Sequence, residues 1–140
     1  MKSENATYSG FEFDMDGFRA NAIINADLKN LPNKSEFAHS IFIEIEPDGV
    51  NENGQPNETE YDYLIDVEKR MIEYLEGQTQ TLHVGHTTLY RKREIIFYTH
   101  EPEKVEGFLN YFLSTIERQN NFEVEEDPEW ENVAAFYELL

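Results

Sequence analysis

Three of the four histidines, His83, His86 and His100, fall in one stretch, "HVGHTTLYRKREIIFYTH". The same stretch holds Arg91, Lys92 and Arg93, the densest basic cluster in a chain of formal charge −18. Imidazoles beside guanidinium groups suit metal binding, acid–base chemistry or the clamping of nucleic acid. A metal is not expected. His83 and His86 are three residues apart, and on a regular strand that spacing points them to opposite faces. There is no cysteine and no H-E-x-x-H pattern, and a ligand set of His83, His100 and Glu101 is loose. Nucleic acid is not expected either. Tyr90, Arg91, Lys92, Arg93, Phe97 and Tyr98 could stack and clamp a single strand, but the surrounding field is strongly negative. The basic residues read better as partners for acids across the hairpin.

The other candidate motifs carry less. "GVNENGQPNETE" places Asn51, Asn53, Gly54 and Glu60 at calcium-loop spacing, but Gly49 stands where the first aspartate belongs and a strand precedes the loop. It is a connection rich in turn-formers. Ser9, Ser35, Ser40 and Ser114 lack a G-x-S-x-G context, and "EGQTQT" lacks the lysine of a phosphate loop. Glu44 and Glu46 share the face of one strand opposite Ile43 and Ile45, and Arg91 and Arg93 on the neighbouring strand are their natural partners.

Periodicity supplies the elements that position these groups. "FRANAIINADL" and "HSIFIEIE" alternate as strands. A helix opens at Asn57 or Thr59 and carries Tyr61, Leu64, Ile65, Met71, Ile72 and Leu75, with Glu68 as the polar break in the stripe. Gly77 stands where a C-terminal glycine is expected. "TQTLHVGHT" and "LYRKREIIFYT" are two strands turning near Thr87 and Thr88. Val105, Phe108, Leu109, Phe112, Leu113 and Ile116 mark a second helix, and "NFEVEE" a last strand. Asp127 and Pro128 cap a final helix with Trp130, Val133 and Leu140 on one face. Residues 1–17 are expected to be loosely ordered or an edge segment. The order implies a single α+β domain over 1–140: one antiparallel-rich sheet with a ferredoxin-like βαββαβ core, an extra N-terminal strand and a C-terminal helix. "SIFIEIE" and "REIIFYT" carry apolar residues on both faces, as the central strands of such a core should.

The chain resembles the uncharacterised DUF695 family in several landmarks. These are Gly54 and Pro56 before a helix that carries Glu68, then Val84, Gly85, Thr88, Arg93, Phe97 and Tyr98, and an acidic segment leading into Trp130. Val133 stands where an aromatic is expected after the tryptophan. The resemblance implies a bacterial protein with no assigned reaction. It also implies a fold similar to that of the regulator of ribonuclease activity B, an acidic protein that inhibits an RNA-degrading enzyme by binding it.

With 140 residues and 39% hydrophobic content, the chain can build a core without disulfides. No segment is apolar enough to span a membrane and the first residues lack a secretory apolar run, so a cytoplasmic location is expected. With 29 Asp and Glu against 11 Lys and Arg, the field favours a basic partner. The leading expectation is therefore a non-catalytic regulatory or immunity-type protein, without cofactor, acting as a monomer or homodimer. It would occlude a basic macromolecule with Glu44, Glu46, Glu123, Glu125, Glu126, Asp127 and Glu129. The alternative is an enzyme or small-ligand domain with a site on the 83–100 hairpin, built from His86, Arg93, Tyr98 and His100. Its mark would be a concave pocket where Arg93 meets a histidine and a perturbed carboxylate.

Overall fold

The Asn57 side chain accepts the Glu60 N–H, and the first long helix, α1 (Glu58–Gln78), starts there. Its far end is closed by Thr79, whose N–H and hydroxyl both donate to the Leu75 carbonyl. Gly77, expected as the terminator, sits inside the helix. The computed structural model describes residues 2–140. The strands are β1 (Tyr8–Met15), β2 (Phe18–Asn25), β3 (His39–Ile45), β4 (Thr81–Leu89), β5 (Lys92–Thr99) and β6 (Asn120–Glu126). The remaining helices are α2 (Pro102–Thr115) and α3 (Ala134–Glu138). All strands join one antiparallel six-stranded sheet in the order β1-β2-β4-β5-β3-β6.

One expectation is sharpened and one is corrected. Of the two alternatives for residues 1–17 the edge segment holds: Tyr8–Met15 is the edge strand, paired with β2 along its whole length. Asp16 and Gly17 both take positive φ, the two-residue turn whose twist matches a hairpin. The hairpin adds at the β4 side, so it leaves the β3 edge free for β6. The β4–β5 turn lies at Tyr90 and Arg91, not at Thr87 and Thr88, which pair with Glu94 and Arg93.

One sheet face is covered by helices. Ile41, Ile43, Ile45, Ile95 and Phe97 pack against Leu64, Val67, Met71 and Leu75 of α1 and Val105, Leu109 and Leu113 of α2. The other face is covered on the β2-β4-β5 side, where Ala22, Ile24, Val84, Ile96 and Tyr98 meet Trp130, Val133 and Tyr137. Over β3, β6 and the Glu94 end of β5 this second face is open. There Phe42, Glu44, Glu94, Glu123 and Glu125 line a groove of about 480 Å³.

Candidate functional site

The site begins with an irregularity in β4. His83 pairs with Phe97, but Gly85 pairs with Ile96 and His86 with Ile95, so one extra residue is inserted between them. Such a bulge shifts the alternation of side chains by one. His83 and His86, expected on opposite faces, therefore both point to the helix-covered face. Gly85 makes this possible. Its φ is +148°, and a Cβ there would sit 2.0 Å from the Ile23 carbonyl oxygen of β2.

Facing the two histidines is Glu68, the polar break in the α1 stripe. It is 4% exposed, inside a layer of isoleucine and leucine. Its Oε2 accepts a hydrogen bond from His83 Nε2 at 2.6 Å and one from His86 Nδ1 at 3.1 Å. Oε1 lies 2.8 Å from His86 Nδ1 and 3.6 Å from Arg93 Nη1, but neither contact is aligned as a hydrogen bond. Burial pushes the Glu68 carboxyl up, yet the hydrogen bonds and charge of His83 and His86 outweigh it and hold the group well below the usual carboxylate range. On the far side of His83, Tyr8 reaches across β2 and its hydroxyl meets His83 Nδ1 at 2.7 Å. Burial, chiefly, raises the Tyr8 phenol above its ordinary value. The result is a continuous chain, Tyr8–His83–Glu68–His86, running from a half-buried phenol to the helix core.

Arg93 completes the cluster. It is 0% exposed, and none of its three guanidinium nitrogens makes a hydrogen bond among the described residues. Its neighbours are Glu68 and the ring of Tyr61, 5.5 Å from the guanidinium carbon. Burial pulls its pKa down and the charge of Glu68 opposes that. Neither Glu44 nor Glu46, the expected protein partners of Arg93, reaches it. The register forbids it: Arg93 pairs with Ile45 and shares the helix side, while Glu44 pairs with Glu94 and faces the other way. Glu44 instead takes Lys92 at 3.2 Å, and Glu46 lies just beyond β3.

A cleft of about 430 Å³ opens onto this cluster, walled by Ile23, Ile65 and Ile72 and bordered by Tyr8, Glu68, His83 and His86. Of the four hairpin residues expected to form a ligand site, His86 and Arg93 do converge. Tyr98 does not: it is on the opposite face, stacked on Trp130 and donating to Asp127 at 2.5 Å. His100 lies past the end of β5, bonded to the Glu36 carbonyl. Among the acidic residues, Glu44, Glu123 and Glu125 line the open groove, and Glu126 and Glu129 are exposed. Asp127 leaves that set. It is buried, and its oxygens hold Tyr98 and the N–H groups of Glu131 and Asn132.

Among the described residues, no group of His, Asp and Glu side chains is arranged to hold a metal ion. No helix is long and apolar enough to cross a membrane. The landmarks Glu68, Gly85 and Arg93 thus coincide with the buried cluster. A family of unknown function, DUF695, matches residues 9–137. The chain belongs to the DUF695 family. No curated protein and no solved structure matches it.

Proposed function

We propose that this DUF695 protein is a small-ligand-binding domain, with an enzyme-like site at the cleft over Glu68, His83 and His86. The observation that carries the reading is Glu68, buried in an apolar layer, shared by two histidines that hold its pKa below the usual carboxylate range, and set beside an Arg93 without hydrogen bonds. Burying such a group costs several kcal/mol, about what a whole side chain's packing returns. Strongly perturbed titratable groups that converge on an apolar cleft mark functional sites. Around this site the order β6-β3-β5-β4, with α1 and α2 as crossovers, supports a ferredoxin-like core to which the β1–β2 hairpin is added. Ligand-observed NMR with neutral aliphatic and aromatic fragments tests the reading. Fragments should bind the native chain and lose binding in Ile65→Trp, which fills the cleft from an exposed position. Binding that survives Ile65→Trp unchanged, or no binding at all, would count against the proposal.

A second reading concerns the open half of the sheet. Phe42 sits among Glu44, Glu94, Glu123 and Glu125 in the groove there. Burial, with Glu44 adding to it, raises the Glu94 carboxyl. An aromatic ringed by acids is a surface that suits a basic protein partner, as a regulator or immunity protein would require. A pull-down at low and moderate salt that retains no basic protein would remove this reading.

A further inference from the structure

The hydrogen-bonding atoms of the cluster leave one nitrogen open. An ionised carboxylate only accepts, so His83 and His86 must each present an N–H to Glu68. For His83 that proton is on Nε2; when the ring is neutral its Nδ1 carries the lone pair and accepts from the Tyr8 hydroxyl 2.7 Å away. Both nitrogens of His83 are used. For His86 the proton is on Nδ1. When the ring is neutral its Nε2 carries a lone pair, and that nitrogen has no partner among the described residues and is not among the atoms sealed from solvent. His86 borders the cleft. A histidine with one nitrogen fixed by a carboxylate and the other free is the arrangement of an oriented base.

The cleft also selects. Its walls are Ile23, Ile65 and Ile72, and its charged border is Glu4, Glu73 and Glu76 against Lys69. Glu76 is fixed in place by the Ser3 N–H and hydroxyl. A carboxylate head would meet like charge at the border and a lone pair at His86 Nε2. A head that carries N–H or O–H meets an acceptor. We propose that His86, oriented by Glu68, is the proton-accepting group of the cleft, and that the cleft takes an aliphatic molecule ending in a hydrogen-bond donor, an ammonium or a hydroxyl. This rests on reading the cleft as a small-ligand site.

Imidazole nitrogen NMR on the full chain, at a pH where both rings are neutral, tests it with octylammonium, octanol and octanoate as probes. His83 and His86 should be in opposite tautomers, His83 protonated on Nε2 and His86 on Nδ1. The His86 Nε2 resonance should move upfield with octylammonium or octanol and stay fixed with octanoate. A proton found on His86 Nε2, a response to octanoate, or no response to the two donors would overturn the inference. Fragments that bind in the cleft while His86 stays silent would sink this inference alone. Absence of any cleft binding would sink the small-ligand reading with it.

Discussion

Gly85→Ala tests how the fold makes the site. The added Cβ would stand 2.0 Å from the Ile23 oxygen and 3.0 Å from the Ile23 carbonyl carbon and the Ile24 Cα. All three are backbone atoms of the neighbouring strand, so no side chain can rotate to relieve the contact. Either β2 and β4 separate or the bulge is lost. Separation loses part of a ladder that pairs Asn21–Ile24 with Gly85–Thr88. Loss of the bulge turns His86 away from Glu68 and leaves the carboxylate with one histidine. Alanine at positive φ adds about 1 kcal/mol of backbone strain, and overpacking adds about 2 kcal/mol more. A total near 3 kcal/mol is a large share of a stability of about 5–15 kcal/mol. With an m-value of about 1.5 kcal/mol/M, the urea midpoint should fall by about 2 M. Equilibrium denaturation followed by tryptophan fluorescence reads it, since Trp130 reports on the opposite face of the same strands. An unchanged midpoint would refute the claim that the close β2–β4 approach requires glycine.

Three further outcomes follow from the same contacts. Glu68→Ala should cost about 3–5 kcal/mol, because it strands a buried guanidinium, and Glu68→Gln should cost less. The stability gap between the native chain and Glu68→Gln should be full above the ordinary carboxylate pKa of about 4.5 and shrink as pH falls towards the much lower folded value. A gap that widens in acid would contradict that sign. Tyr98→Phe should lower the melting temperature by about 5–10 °C, the loss of one buried hydrogen bond to a carboxylate, as read by calorimetry. Combined Glu44→Gln, Glu123→Gln and Glu125→Gln should abolish capture of a basic protein if the open groove is the docking surface, and unchanged capture would exclude it.

Much of this architecture was legible in the residues. The alternation in β2, β3 and β5 and the apolar stripes of α1 and α2 follow from burial on one face, which periodicity records directly. The first strand is legible only as a possible edge segment, because Tyr8–Met15 is only partly buried and its pattern is weak. The Asp16–Gly17 turn was the available signal. Arg93 is legible as a residue that must be paired; Glu44 and Glu46 lie on the wrong strand face, whereas the alternative, Arg93 beside a histidine and a perturbed carboxylate, matches its place next to Glu68 and His86. Register decides that, and register depends on pairings distant in sequence. Glu68 stood out as a polar residue in an apolar stripe, a mark of buried polar function that spacing alone could not connect to His83. The bulge at Gly85 was the hidden step. It reverses the strand-geometry argument that had separated the two histidines, and its cause is a contact with β2, some sixty residues earlier in the chain.

The most direct test of the ligand site is methyl NMR on protein labelled at the isoleucine δ1 positions. Ile23, Ile65 and Ile72 line the cleft, whereas Ile41, Ile43 and Ile95 lie in the helix-side core and serve as internal references. Titration with a bound fragment should move the first three resonances in a saturable way and leave the others in place. Shifts confined to residues outside the cleft, or none at any fragment concentration, would contradict the assignment of the Glu68–His83–His86 cluster as a ligand site.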